Sequence, residues 1–305
     1  MNDQHIAIIA PCYNEGAVAV RFVEELEQVL ARLPQRFTVV MVDDASTDDT
    51  LERIQSFRPS AVNVQVQTIS LAYNMGHQEA IYQGLQYASS LVAQRFIVMD
   101  SDGEDDPGAI AELVGITEVP IVFVARGKRS EPIGFKLGYW TYKLVFRLFA
   151  GRSISFGNYS MIDARVLEAV LDRSFTHYAA FLSRQHVASR IIMRDRRPRI
   201  DGSSKMNFRS LSVHAFRALV EYSEEVLSTF LRGFIWLSIV FLLSFLTIIG
   251  IKLFTSWAIP GWASILSVSL FNSMLLCLGF FAIGLLLVNT AQRRERSGRH
   301  LYRKQ

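Results

Sequence analysis

Two uncharged stretches near the C-terminus limit what this chain can fold into more than any other feature. Residues 233–251 and 253–292 contain no Asp, Glu, Lys or Arg. A helix of 19 residues, the length of the first stretch, is ~29 Å long, close to the hydrocarbon thickness of a bilayer. We therefore predict two transmembrane helices, at about 233–254 and 264–289. A buried helical hairpin in a soluble core is the alternative.

The basic residues near these stretches predict their orientation. The C-terminal tail is rich in Arg, whereas the turn between the two stretches, residues 255–263, carries no charge. Because Lys and Arg near membrane helices stay on the cytoplasmic side, both termini and the N-terminal domain are expected to be cytoplasmic. Met1–His5 is polar, so no signal peptide is expected. The net charge of +4 follows from this bias, and no nucleic-acid partner is expected.

An acidic turn follows a short apolar run in the N-terminal half. The run 96–99 is typical of a buried strand. Five carboxylates follow within seven residues, namely Asp100, Asp102, Glu104, Asp105 and Asp106. Hard carboxylate oxygens suit Mg²⁺ or Mn²⁺, which commonly bridge carboxylates to a substrate's phosphates. The alternative is a solvated acidic turn that caps the helix beginning at Pro107.

Strands and helices alternate along the first 130 residues. The predicted strands are 6–10, 37–42, 62–69, 96–99 and 121–124, and the first predicted helix is 17–33. This alternation predicts an α/β fold with a mostly parallel, doubly wound sheet. Polar clusters follow four of the strands, and ligands bind at the carboxyl edge of such sheets. The sequence therefore predicts a binding site along this edge.

Four short motifs at these strand ends resemble a known family. They are Pro-x-Tyr-Asn-Glu at 11–15, Val-Asp-Asp-x-Ser-x-Asp at 42–48, Asn-x-Gly-x-Gln at 74–78 and Asp-x-Asp at 100–102. Their order and spacing resemble the family 2 glycosyltransferases with the GT-A fold. The chain is similar to the membrane-anchored branch of polyprenyl-phosphate sugar transferases, which includes dolichyl-phosphate mannose synthase and undecaprenyl-phosphate glycosyltransferases. The resemblance covers roughly residues 5–130, resumes at 199–206, and includes the two C-terminal spans.

The resemblance implies a nucleotide-sugar site. Pro11, Tyr13 and Glu15 would line the nucleoside pocket, Asp43 would accept a hydrogen bond from the base, and Asp44 would support its loop. The other implied donor contacts are Asn14, Gln78, Asp100 and Ser101. The alternatives are that Asn14 caps a turn and that Tyr13 serves only in packing.

The resemblance also implies the metal and catalytic residues. Asp100 would contact the ribose or the metal, Asp102 would bind the metal, and Glu104 stands where the family often has a metal-binding Gln. The implied catalytic residues are Asp100, Asp102 and Arg126, and the cofactor is Mg²⁺ or Mn²⁺. The proposed acceptor-phosphate ligands are Lys128, Arg129, Arg199, Ser203, Ser204 and Lys205. The alternative for this last group is a charged loop. We interpret His77 as a structural histidine.

The implied domain order combines this fold with the membrane segments. The catalytic GT-A domain is expected at 1–207, an amphipathic connecting helix at 208–231, the spans within 232–290 and a basic tail at 291–305. Within the first domain, basic residues beside aromatics predict an interfacial amphipathic helix at about 134–150, and an ordinary core helix is the alternative. Residues 157–160 depart from the family, because many relatives carry an acidic residue there.

The expected reaction is an inverting, metal-dependent transfer of a sugar from a UDP- or GDP-sugar to a polyprenyl phosphate at the membrane. A phosphate monoester has a second pKa near ~6 and is largely dianionic at neutral pH, so it needs no strong general base. There are two alternatives. One is transfer to a sugar already on a lipid carrier, a reaction that needs a general base. The other is that the protein is a non-catalytic membrane scaffold. The expected partners are the donor, the polyprenyl phosphate and the bilayer, and the sequence leaves a homo-oligomer open.

Overall fold

The chain forms two compact units. The computed structural model describes residues 4–126, 156–173, 175–195, 197, 221–255, 261–293 and 302–304. The first unit contains the described residues up to Glu221 together with 302–304, and the second contains those from 222 to 293. The predicted interfacial helix at about 134–150 lies outside the described residues.

A mixed, mostly parallel sheet forms the centre of the first unit. Its strands are β1 (His5–Cys12), β2 (Arg36–Asp43), β3 (Val64–Leu71), β4 (Arg95–Val98), β5 (Ile121–Arg126), β6 (Phe156–Asp163), β7 (Ser189–Arg194) and β8 (Tyr302–Lys304). Their order across the sheet is β7-β5-β6-β4-β1-β2-β3-β8. The β6 strand is antiparallel to both β4 and β5, and β8 is antiparallel to β3, while the other pairs are parallel.

Helices connect the strands and cover both faces of the sheet. They are α1 (Gly16–Leu30), α2 (Thr50–Ser56), α3 (His77–Ala88), α4 (Ala109–Gly115), α5 (Ala164–Arg173) and α6 (Tyr178–Arg184). Alternate side chains of β1 enter two different cores: Ile8 packs in the core that contains α1, and Ile9 packs in the core that contains α3. Continuous burial along β1 and β2 follows from this double coverage.

The α3 helix lies close to the sheet because it has a glycine where it crosses β1 and β2. A Cβ atom at Gly84 would lie 2.5 Å from Ile9 Cγ2 and 2.8 Å from Val42 Cγ2. Both distances are shorter than any normal carbon–carbon contact. The glycine thus lets α3 approach closely, which places the first residues of α3 beside the carboxyl ends of the central strands.

The predicted α/β fold with a doubly wound sheet is confirmed, but several boundaries differ. The first helix ends at Leu30 rather than residue 33, because Pro34 restricts the residue before it. The third strand begins at Val64, since Val62 is fully exposed. The sequence patterns did not identify β6, α5, α6 or β7, and β6 lies between β4 and β5.

The second unit contains two long apolar helices. The α7 helix spans Ser223–Phe254 and α8 spans Trp262–Arg293, so both extend beyond the predicted spans. Both are long and apolar enough to cross a membrane. Within the most apolar 18-residue stretch of each helix, no residue is buried. This exposure contradicts the alternative of a hairpin buried in a soluble core. A Cβ at Gly284 would clash with Leu227 Cδ2, so α7 and α8 pack closely there.

Part of the predicted connecting helix belongs to α7. Residues 208–220 lie outside the described residues, whereas Ser223 and the residues after it continue without a break into the apolar part of α7. The helical backbone therefore begins about three turns before the uncharged stretch. The polar start of α7 includes Glu224 and Glu225 in its first turn, where carboxylates favour a helix N-terminus.

Candidate active site

The predicted site residues meet at the carboxyl edge of four adjacent strands. In the sheet order β4-β1-β2-β3, each strand ends beside the next, so the loops after them share one edge. These loops run from Cys12 to Gly16, from Asp43 to Thr50, from Leu71 to His77 and from Met99 to Pro107. Ligands bind at this edge in open α/β sheets.

The loops after β1 and β2 are joined by hydrogen bonds. Asn14 has a φ of +52°, and its backbone N–H donates to Ser46 Oγ at 2.9 Å. Asn14 Oδ1 accepts from the backbone N–H of Thr47 at 2.8 Å. The backbone N–H of Glu15 donates to Thr50 Oγ1 at 2.9 Å, and Thr50 is fully buried. The side chain of Asn14 thus holds two loops together, as in the capping alternative.

The two carboxylates that end β2 are buried and have separate roles. Asp43 is 1% exposed, and it accepts from the backbone N–H of Ser46 at 3.2 Å and from Ser70 Oγ at 3.1 Å. Its carboxylate oxygens have further lone pairs with which to accept from a bound base. Asp44 accepts from the backbone N–H groups of Met75 at 2.7 Å and of Gly76 at 2.8 Å.

The prediction that Asp44 supports a loop agrees with these bonds. Burial raises the pKa of Asp44, and the two backbone hydrogen bonds oppose this effect by stabilising the charged form. Gly76 has a φ of +86°, which a residue with a side chain rarely adopts. Asp44 and Gly76 together set the turn that begins α3.

The acidic turn after β4 is tied to the end of β1. Ser101 Oγ lies 2.7 Å from the carbonyl oxygen of Pro11 and 3.1 Å from Glu15 Oε2. The backbone N–H of Asp100 donates to Asp105 Oδ2 at 2.9 Å. Asp105 is 5% exposed, so the alternative of a solvated acidic turn does not hold for this residue. The burial of Ser101 and Asp105 shapes the turn, while Asp100 remains partly exposed.

The predicted metal ligands are close in sequence but differ in environment. Asp102 Oδ1 accepts from the backbone N–H of Glu104 at 3.0 Å, and Asp102 is partly exposed whereas Glu104 is 8% exposed. Within the described residues, no three His, Cys, Asp or Glu side chains form a metal-binding group. Two partly exposed carboxylates nevertheless fit Mg²⁺ or Mn²⁺, because such ions take their other ligands from water and substrate phosphates.

His77, which the sequence suggested was structural, contacts the acidic turn. His77 Nε2 lies 3.1 Å from Asp100 Oδ1, and the His77 side chain is 34% exposed. Burial by itself lowers the pKa of His77, but Asp100 above all, with help from Asp102 and Glu15, raises it above the ordinary value. No local sequence signal indicates this contact, because the two residues come from α3 and the loop after β4.

Gln78 lies behind His77 in the core rather than on the open edge. It is 5% exposed, its Oε1 accepts from the backbone N–H of Tyr178 at 2.6 Å, and its Nε2 lies 3.4 Å from Asn158 Oδ1. The predicted direct contact of Gln78 with the donor therefore does not fit its position. Since both ends of its amide are engaged, Gln78 supports the site from behind.

The predicted acceptor-phosphate ligands lie outside the described residues. These residues are Lys128, Arg129, Arg199, Ser203, Ser204 and Lys205. Arg126 ends β5 and pairs in register with Arg194 of β7. The strand β6 separates β5 from β4, so Arg126 is two strands away from Asp100. Strands are ~4.8 Å apart, which places the two backbones about 10 Å apart across the sheet.

Comparisons with known proteins agree with this architecture. Residues 7–176 match the family described as glycosyl transferase family 2. The uncharacterized glycosyltransferase YkcC of Bacillus subtilis (strain 168) is 24% identical over 287 residues, which cover 91% of this chain and 87% of that protein. The undecaprenyl-phosphate 4-deoxy-4-formamido-L-arabinose transferase of Pseudomonas savastanoi pv. phaseolicola (strain 1448A / Race 6) is 30% identical over 128 residues, covering 41% of this chain and 37% of that protein.

Solved structures share the fold at low sequence identity. Mannosyl-3-phosphoglycerate synthase from Rubrobacter xylanophilus has a TM-score of 0.54 at 17% identity, over 73% of this chain and 74% of that one. Glucosyl-3-phosphoglycerate synthase from Mycobacterium tuberculosis, solved with Mn²⁺, UDP and glucosyl-3-phosphoglycerate, has a TM-score of 0.52 at 14% identity, over 73% of this chain and 80% of that one. At such identities the likeness concerns the fold alone.

Proposed function

The chain belongs to glycosyl transferase family 2, and on this basis we propose that it transfers a sugar from a UDP- or GDP-sugar to a polyprenyl phosphate. The family assignment makes the chain a glycosyltransferase with the GT-A fold. The lipid acceptor is proposed because two helices are apolar enough to span a bilayer and because a relative is an undecaprenyl-phosphate sugar transferase. A membrane-bound enzyme can meet such an acceptor only at the lipid surface.

The donor side of the proposal depends on the edge formed by β1 to β4. The observation that carries it is the meeting of Glu15, Asp43 and the acidic turn at this edge, each held by named hydrogen bonds. In the proposed binding mode, Asp43 accepts from the base, and Tyr13, which is 39% exposed, offers its ring beside it. Asp100 and Asp102 would hold a divalent metal at the donor diphosphate.

The proposed mechanism assigns little proton chemistry to the protein. A metal at Asp100 and Asp102 would supply Lewis acidity for the departing diphosphate. The acceptor phosphate is already charged near neutral pH, since its second pKa is about 6. The remaining contribution of the protein is to hold the acceptor in line with the anomeric carbon, and proximity alone gives large rate gains. Many relatives carry an acidic side chain in the segment where this chain has Asn158. The neutral side chain here is consistent with a reaction that needs no strong base.

We propose that the basic residues bind the acceptor phosphate and that the active site faces the cytoplasm. Guanidinium groups suit phosphate recognition because they donate two parallel hydrogen bonds. The candidates are Lys128, Arg129, Arg199, Ser203, Ser204 and Lys205, together with Arg126 at the end of β5. An even number of spans would return the tail to the side of the catalytic unit, and the pairing of β8 with β3 supports this arrangement.

A panel experiment tests the proposed function. The purified full-length protein, in nanodiscs with undecaprenyl phosphate, is incubated with each of several UDP- and GDP-sugars, and the lipids are analysed by mass spectrometry. We expect one donor to give undecaprenyl phosphate enlarged by a single sugar. Two further reactions replace undecaprenyl phosphate in the nanodiscs, one with undecaprenol, which lacks the phosphate, and one with a lipid-linked sugar. Product only from the lipid-linked sugar would replace the proposed acceptor, and no product from any donor would contradict the proposal.

A further inference from the structure

The segment that follows β7 returns to the acidic turn. In the sheet, β5 and β6 lie between β7 and β4, so the backbones of β7 and β4 are about 14 Å apart. Yet Arg197, three residues after the end of β7, donates its backbone N–H to the carbonyl oxygen of Glu104 at 3.1 Å. Both residues lie in the first unit. The chain leaving β7 thus meets the turn that carries Asp102.

Two ion pairs join the same segment to helices of the first unit. Arg194 Nη2 lies 2.5 Å from Glu112 Oε2 on α4, and Arg197 Nη1 lies 2.9 Å from Glu25 Oε2 on α1. All four side chains are partly exposed, so each pair changes an equilibrium by at most about fivefold. Arg197 therefore contacts α1 through its side chain and the acidic turn through its backbone.

The position of Arg197 limits how far the next residues can lie from the acidic turn. Arg199 is two residues further along, and an extended chain spans at most about 3.6 Å per residue. The Cα atoms of Arg197 and Arg199 are therefore at most about 7 Å apart. Arg126, in contrast, pairs in register with Arg194 and is two strands away from Asp100. The basic segment after β7 is thus the one that is tied to the acidic turn.

We propose that Arg197 is a positioning residue, which with Glu25 holds the start of the acceptor-phosphate segment against the acidic turn. This inference rests on the proposed function, in which Arg199 and Lys205 bind the acceptor phosphate and Asp102 binds the metal. The attacking phosphate has to come within bonding distance of the anomeric carbon, so its ligands have to approach the metal site. The guanidinium of Arg197 is engaged by Glu25, and its effect on the acceptor is therefore indirect.

Hydrogen–deuterium exchange of the purified full-length protein in detergent tests the contact without measuring turnover. Glu25→Ala removes the ion pair from the α1 side, where no ligand is proposed to bind. Local opening at Arg197 then becomes easier, and we expect peptides that contain residue 197 to exchange about two- to fivefold faster. Arg197→Lys retains a cation beside Glu25, and its exchange is expected to stay within about twofold of wild type. Thermal melts establish that each variant is folded.

Steady-state kinetics in nanodiscs test the effect on the acceptor. For Glu25→Ala we expect the KM for undecaprenyl phosphate to rise about two- to fivefold at saturating nucleotide-sugar, with the KM for the nucleotide-sugar unchanged. Glu25→Arg and Arg197→Glu should each raise the acceptor KM, because each places like charges together. The two changes combined restore an ion pair of reversed direction and should bring the acceptor KM back toward the wild-type value.

A matched control removes an ion pair elsewhere on the surface. Arg53 Nε lies 2.7 Å from Asp49 Oδ2 within α2, and both side chains are about half exposed. Arg53→Ala should change neither the exchange of peptides containing residue 197 nor the KM for undecaprenyl phosphate.

The outcomes separate this inference from the proposed function. A wild-type protein that transfers no sugar to undecaprenyl phosphate would contradict the proposed function, and the acceptor role of Arg197 with it. An active wild type together with unchanged exchange in folded Glu25→Ala would overturn the inference alone. Faster exchange with an unchanged acceptor KM would also overturn it. A charge swap that fails to restore the acceptor KM would show that Arg197 acts on the phosphate directly, against the positioning role.

Discussion

The loops after β1 and β2 and the turn after β4 contain the same kinds of residue and use them differently. In the first pair of loops, Asn14, Ser46 and Thr50 bond to the backbone of the neighbouring loop. In the turn after β4, the partly exposed Asp100 and Asp102 lie at the open edge of the sheet. One region uses its polar groups to build a scaffold, whereas the other presents carboxylates to a ligand.

Burial separates the two kinds of carboxylate. Asp43, Asp44 and Asp105 are each at most 5% exposed, and each accepts from a backbone N–H group. A buried carboxylate requires such partners because burial penalises its charge. We therefore expect substitutions of Asp44 or Asp105 to lower stability and substitutions of Asp100 or Asp102 to lower activity. Four predictions test this difference, from the largest expected effect to the smallest.

The largest effect is expected at Asp102. Asp102→Asn removes the charge of a partly exposed metal ligand, and we expect transfer activity to fall to background. The midpoint of thermal unfolding should stay within about 1 °C of wild type, since surface substitutions usually change stability by at most 0.5 kcal/mol. Activity is measured over Mg²⁺ and Mn²⁺ titrations. Full activity in the folded variant would falsify the assignment of Asp102 to the metal.

Asp44 should show the opposite behaviour. Asp44→Ala leaves the partly buried backbone N–H groups of Met75 and Gly76 without their acceptor, and unsatisfied donors held away from water cost about 1–3 kcal/mol each. We expect the free energy of unfolding to fall by about 2–4 kcal/mol, as measured by denaturant titration. Asp49→Ala is the control, because it removes only an exposed ion pair with Arg53. A stable Asp44→Ala protein without activity would place Asp44 with the ligand-binding residues instead.

Lys205 extends the comparison to the proposed acceptor side. A hydrogen bond to a charged group contributes roughly 1.5–3 kcal/mol, or about one to two decades in affinity. We expect Lys205→Ala to raise the KM for polyprenyl phosphate by that factor and to leave the KM for the nucleotide-sugar nearly unchanged. Each substrate is varied in nanodiscs while the other is saturating. A loss confined to the donor would reassign Lys205 and reopen the identity of the acceptor.

The smallest effect is expected at Ala45. Its φ of +56° costs an L-residue about 1–2 kcal/mol, while glycine adopts this conformation freely. The greater freedom of glycine in the unfolded chain offsets about 0.4–1 kcal/mol of the gain. Ala45→Gly should therefore stabilise the protein by about 0.5–1 kcal/mol, whereas Ala10→Gly within β1 should destabilise it. A lower stability for Ala45→Gly would show that its methyl group makes a compensating contact.

Local patterns predicted the parts of the fold that depend on local chemistry. Continuous apolar runs identified β1, β2 and β4, because strands covered on both faces need apolar residues on both. The polar residues after these strands were expected at one edge, and they lie there. The uncharged stretches predicted two apolar helices, and both are present.

Features that depend on distant residues could not be predicted in the same way. The β6 strand inserts between β4 and β5, and no local pattern specifies which strand pairs with which. Gln78 was expected at the donor, but its amide meets Asn158 and Tyr178, which lie 80 and 100 residues further along the chain. Burial of Asp105 and the contact of His77 with Asp100 likewise arise only when separate loops meet.

The most direct measurement of the central claim is sugar transfer with and without a divalent metal. The wild-type protein in nanodiscs, with undecaprenyl phosphate and the active nucleotide-sugar, is treated with excess EDTA and then supplied with Mn²⁺ or Mg²⁺. Metal-dependent chemistry at Asp100 and Asp102 predicts that the lipid-linked sugar disappears in EDTA and returns after metal is added. Undiminished transfer in EDTA by the folded protein would contradict it.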